Sequence, residues 1–459
     1  MASSGYNFAW SLALLGAGHL VGLSVGMAML TGLIIARGIS VPILTSMQQA
    51  AEGVSLAEHT TTIWRMQVRF IGAGASGVAA IYTLARLAKP VAAGLMSTLA
   101  ASRVAGTGDD LDRDISPPWI LALTAVCIVI AGWLAFTFAK STVPAPSALT
   151  LTLLAVPFVL IGGFLIAGLC GYMAGLIGAS NSPISGVGIL SIVLCASVII
   201  VAVAPTPETR PAMVAFALFI TAIVFACATV SNDNLQDLKT GQLVGAPPMR
   251  QQIALIVGVA AGAPVIPSVL DLLAKAYGFA GAANMGVLAP NPLLAPQATL
   301  ISALAQGVVG GNLEWKMIGI GALVGVGLIA LDATLGAMKK LRIPPLAVGI
   351  GIYLPMSATF AVVVGAVLSH WYDKRARAMP NPARADRLGT LVASGWNVGE
   401  RLWGVLNARL IVGLAKDAPI GPVSGEFVLG PWLGVLGFVG VIVLLYGWML
   451  RRSAAVVRD

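Results

Sequence analysis

The sequence predicts an all-α, polytopic integral membrane protein of about 12 transmembrane or re-entrant helices, several of them broken. Three observations predict it. Of 459 residues, 58% are apolar and 10% are charged, where soluble domains carry roughly 25% charged residues. Apolar runs of about 20 residues, enough to cross a bilayer, recur between short polar connections. Those runs are continuous and rich in Leu, Ala, Ile and Gly. They lack the alternation of a membrane barrel, and only helices or closed barrels satisfy their backbone hydrogen bonds in lipid.

In chain order, membrane segments are predicted at 11–36, 70–87, 119–139, 149–173, 186–204, 212–230, 253–275, 287–311, 317–336, 346–369, 389–412 and 431–450. The stretch 88–105 reads as an amphipathic surface helix, and the longest polar connections are 37–69, 106–118, 231–250 and 370–388. No soluble domain intervenes, so residues 1–459 form a single transmembrane domain in this reading. Lys374, Arg375, Arg377, Arg384, Arg387, Arg451, Arg452 and Arg458 place the loop at 370–388 and the tail in the cytoplasm. The net charge of +9 is thereby read as topology, and no nucleic-acid partner is expected. Cys127, Cys170, Cys195 and Cys227 lie in apolar runs without CxxC spacing, so neither a metal site nor a cofactor is expected.

Three stretches are too interrupted to be plain helices: Ala174 to Gly186, the Gly- and Pro-rich 278–297, and Pro355 beside Tyr353. Irregular backbone at membrane depth is tolerated where protein buries it or where it lines a wet cavity, and carriers use such breaks at their cargo sites.

Two motifs suggest other chemistry and are better explained by packing. Gly72 to Gly77 fits GxGxxG, yet no strand precedes it, so close helix packing replaces dinucleotide binding. Gly18, Gly22 and Gly26 form a similar small-residue stripe. Gly74-Ala-Ser-Gly77 also resembles the GxSG nucleophile motif of rhomboid intramembrane proteases, with His19 as a base. The order of serine and histidine is reversed from that family, so an enzyme is not expected. Among ionisable groups in apolar runs, His19 reads as a packing residue and Asp332 as a helix-end residue. Glu400 and Arg401 fall near mid-span, where coupling to protons and structural pairing are equal alternatives.

The run Asn232 to Gly245, followed by Arg250-Gln-Gln252, resembles the signature of the oligopeptide transporter family, near prokaryotic relatives of its yellow-stripe-like branch. Supporting strings span Ser11 to Gly18, Val68 to Gly74, Ala174 to Gly186, Tyr277 to Gly281, Ala295 to Leu300 and Pro344 to Pro355. The resemblance implies secondary active, proton-coupled uptake of short peptides or metal chelates in a bacterial cytoplasmic membrane. Lipid, cargo and protons are the implied partners, and a homo-oligomer is left open. Family members begin with further spans before the point matching Ser11, so a fragment that needs those spans is the alternative reading. By motif position, the cargo site is expected at Asn181, Ser182, Pro183, Ser185, Asn232, Asn234, Lys239, Gln297 and Tyr353. Proton coupling is expected at Asp233, Asp237 and Glu400.

Overall fold

Apolar runs bounded by Ser, Pro and Gly signals become helices throughout this computed structural model. It describes residues 3–48, 50, 52–101, 113–142, 145–177, 184–279, 293, 295–416, 419–421, 427 and 429–454. The first run is α1 (Leu12–Leu33), continued by a π-helical segment (Ile34–Ser40) and α2 (Val41–Met47). Then come α3 (Leu56–Ile63), a second π segment (Trp64–Val68), α4 (Arg69–Ala101), α5 (Pro117–Thr142) and α6 (Ala145–Ile177). They are followed by α7 (Ile184–Ala202), α8 (Arg210–Val244), α9 (Pro248–Ala276), α10 (Pro296–Gly310) and α11 (Trp315–Ala337). The last are α12 (Pro345–Tyr353), α13 (Met356–Ala376), α14 (Pro382–Leu414) and α15 (Gly430–Ala454). No strand occurs among the described residues beyond one isolated bridge between Phe279 and Leu293.

Nine helical runs among the described residues are long and apolar enough to cross a membrane. Large apolar side chains such as Leu121, Val129, Trp133, Leu153 and Leu165 stand exposed on them. Lipid is the solvent that suits such a surface.

Three boundaries differ from expectation. The stretch 37–69, expected as a polar connection, is largely helical, because the π segments and α2–α3 carry it. The surface helix expected at 88–105 is not separate: α4 runs through Pro90 to Ala101. α8 continues well past the apolar run, to Val244. At about 1.5 Å per residue its length exceeds a hydrocarbon core of about 30 Å, so polar residues extend it at no desolvation cost. It stops at Gly245, whose φ of +70° is the left-handed cap conformation, just ahead of Pro247 and Pro248.

The chain folds as two compact units interleaved in sequence. One comprises Met1–Gly72, Ile266–Pro296 and Gly327–Asp459, the other Ala73–Val265 and Gln297–Val326. In the first, α1 packs through glycines. A Cβ at Gly18 would strike the Val362 carbonyl of α13, one at Gly16 the Ala393 carbonyl of α14, and one at Gly32 the Val348 carbonyl of α12. Gly26 also meets Ala366, but Gly22 leaves the expected stripe. Its φ of +77° and ψ of 175° kink α1, with nothing near its missing side chain. In the second unit, Gly74 meets the Ile318 carbonyl of α11, so this part of the GxGxxG string is a helix contact.

Candidate functional site

The polar tail of α8 and the segments packed on it form a polar concavity in the second unit. Gly171 of α6 makes the approach possible, because a Cβ there would hit the Ser231 hydroxyl. That hydroxyl donates to the Ala167 carbonyl at 2.7 Å, fastening α8 to α6. One residue on, Asn232 is buried and its Oδ1 has no hydrogen-bond partner. Asn234 is half-buried, whereas Asp233, Asp237 and Lys239 are exposed. Spaced i,i+4, the two aspartates share one face of the helix.

Beside them opens a cleft of about 480 Å³ lined by Asp114, Gly175, Leu235, Leu238, Lys239 and Gln242, and by Gly245, Ala246 and Pro248. That volume lies within the ~300–1,000 Å³ of small-molecule sites. Its wall is pinned from α9. Gln252 Nε2 donates to Asp114 Oδ1 at 2.8 Å, and Gln252 Oε1 accepts the Ile115 N–H at 3.0 Å. Gln251 Nε2 donates to the Ala246 carbonyl at 3.0 Å while packing over Gly241. Lys239 Nζ donates to Gln242 Oε1 at 2.9 Å. An ammonium, a carboxylate and an amide on one cleft can meet both charged ends of a zwitterion.

Other predicted positions lie elsewhere. Gln297, in the first turn of α10, donates through Nε2 to Ser185 Oγ at 3.3 Å in the first turn of α7. Asn181, Ser182 and Pro183 lie outside the described residues. In the first unit, buried Tyr353 ends α12, and extended Leu354 and Pro355 separate it from α13. Glu400 of α14 caps α1: Oε1 accepts from Ser11 Oγ at 2.6 Å and Oε2 from the Ala13 N–H at 2.9 Å. A carboxylate is favoured at the positive end of a helix.

His19 faces the Tyr446 hydroxyl through Nδ1 at 2.8 Å, inside a group of rings that includes Tyr372. Ser76 is fully buried and its hydroxyl has no partner, so no base activates it. Asp332 pairs with Arg342 and accepts the Ile343 N–H at 3.0 Å, tying down the loop after α11. Sequence reasoning did not place Asp114, Gly175 or Gln242 in a site. Gln251 and Gln252 did carry a signal, as part of the resemblance, but their role as struts depends on which loop returns beside α9.

Long apolar helices, a helix broken at Pro355 and a charged cleft define a polytopic membrane transport protein, with no activated nucleophile in the string that suggested one. Comparison with known proteins agrees. Residues 2–411 match the family described as OPT oligopeptide transporter protein, and the chain belongs to that family. It is 39% identical to a putative oligopeptide transporter of Haemophilus influenzae, over 97% of this chain and 73% of that protein. It is 29% identical to a putative oligopeptide transporter of Saccharomyces cerevisiae, over 50% of this chain and 30% of that protein. It is 27% identical to a probable metal-nicotianamine transporter of Oryza sativa subsp. japonica, over 45% of this chain and 27% of that protein. No solved structure matches.

Proposed function

We propose that this chain carries short peptides, or metal complexes of peptide-like chelators, across a bacterial cytoplasmic membrane by proton-coupled alternating access. The cleft beside α8 is the observation that carries the reading, because Lys239 and Asp114 offer both signs of charge in a cavity of ligand size. Lys239 takes the cargo carboxylate and Asp114 its ammonium, while Asn232, Asn234, Ser185 and Gln297 of the second unit and, separately, Tyr353 of the first supply neutral hydrogen bonds. Asp233 and Asp237 receive the coupling protons, with Glu400 as a further relay. Names of relatives point to both cargo classes, peptides and metal-nicotianamine complexes.

Uptake into proteoliposomes tests this reading. Labelled dialanine or ferric citrate should enter saturably under an inwardly directed proton gradient. Lys239→Gln should weaken apparent affinity about tenfold, the loss of one charge-assisted contact. Asp233→Asn should leave binding intact and abolish gradient-driven accumulation. Uptake that ignores the gradient, or is unchanged in Asp233→Asn, removes that carboxylate from the mechanism. Glu400→Gln separates two roles at one position: the amide oxygen still accepts the Ala13 N–H, so α1 stays capped, but proton relay is lost.

A further inference from the structure

Arg37 and Arg69 lie inside helical runs long and apolar enough to cross a membrane. The first π segment carries Arg37, and the second places Trp64 beside it and ends at Val68, just before Arg69. π-helical turns shift side-chain direction by one residue and recur at functional sites. A reciprocal amide pair holds the two stretches together: Gln48 Nε2 donates to Gln67 Oε1 at 3.1 Å, and Gln67 Nε2 to Gln48 Oε1 at 3.2 Å.

Both guanidiniums lie over the Trp64 indole, with Arg37 Cζ 4.9 Å and Arg69 Cζ 5.2 Å from the ring centroid. The indole is itself fixed, because Nε1 donates to the Ile352 carbonyl at 3.2 Å at the end of α12. Arg69 is only 4% exposed. Its Nη2 donates to the Pro296 carbonyl at 2.6 Å, but the Nε of each arginine is buried without a partner. Neither arginine has a carboxylate within ion-pair distance among the described residues. One turn along α4, Gly72 leaves no room for a side chain beside Tyr353, so the broken end of α12 borders the pair.

Two like charges sharing one ring, one of them almost fully buried, call for an anion that none of the described residues provides. We infer that Arg37, Arg69 and Trp64 form a second carboxylate-binding site, one that holds the cargo carboxylate at a stage of transport when Lys239 does not. A guanidinium fork matches a carboxylate in two hydrogen bonds, and the indole face holds both forks in place. This rests on the transport reading for the identity of its ligand, not for the existence of the site.

Calorimetric titration of the full 459-residue chain in phosphatidylcholine nanodiscs tests it, with dialanine and citrate as probes. At least one should bind, and dialanine amide should bind at least tenfold more weakly than dialanine if dialanine is the probe that binds. Arg69→Gln and the less buried Arg37→Gln should each weaken binding at least tenfold. Unliganded melting temperatures show which variants fold, and Arg37→Gln carries the test if Arg69→Gln does not. No binding of either probe, equal binding of peptide and amide, or unchanged binding in the folded variants overturns the inference. So does full displacement by equimolar inorganic phosphate, or loss of binding in phosphatidylglycerol nanodiscs, which would assign the pair to phosphate. Uptake separates the two readings. Binding that depends on the arginines without uptake refutes transport alone, whereas uptake unchanged in Arg69→Gln refutes this site alone.

Discussion

Glycines do different work at neighbouring positions of α1. Gly18 is a contact, and adding an isopropyl group there as Gly18→Val forces α1 from the Val362 carbonyl of α13. Overpacking of this kind costs about 1–3 kcal/mol, so the variant should melt earlier in detergent by that amount. Gly22 is a conformation. Gly22→Ala meets no neighbour yet must hold a φ of +77° with a ψ of 175°, a strain of about 1–3 kcal/mol. Ser76 is the opposite case. Its hydroxyl is buried without a partner, so Ser76→Ala should keep full uptake and lose no stability. A loss of uptake in that variant would contradict the reading of Ser76 as a packing residue.

At the scale of elements, the helix ends hold the chemistry. Asp332→Asn would strip the charge that binds Arg342 and weaken the hold on the Ile343 N–H. Hydrogen bonds to charged groups contribute about 1.5–3 kcal/mol, so earlier melting and faster proteolysis of 338–344 should follow. Most spans were legible in the sequence because an apolar run of bilayer length has only one way to satisfy its backbone. The continuation of α8 was not, since reading by hydropathy stops at Val230, whereas the helix stops only where Gly245 and two prolines end it. That Gly-Ala-Pro-Pro signal was present in the sequence and outranks polarity as a helix terminator. The break at Pro355 was legible for the same reason, as proline both lacks a donor and disfavours helix before it. The π segments were not, because nothing in their composition distinguishes them from an ordinary amphipathic stretch.

For the whole molecule, the exposed apolar side chains on α5, α6 and α15 require lipid or detergent. The protein should remain in membranes through an alkaline carbonate wash and leave them only in detergent; release by the wash would contradict the reading. Two interleaved units mean that no linker can be cut to give one half, so function is tested on the entire chain. Composition and run length alone determined the solvent, the helical class and the position of most spans, because these follow from the cost of exposing backbone to hydrocarbon. Tertiary structure alone decided that Glu400 caps α1, that Gln297 meets Ser185, and that Arg37 and Arg69 converge on Trp64. Spans facing lipid are apolar on every side, so no amphipathic period marks the face that turns inward. Those partners meet only when small residues let particular helices touch.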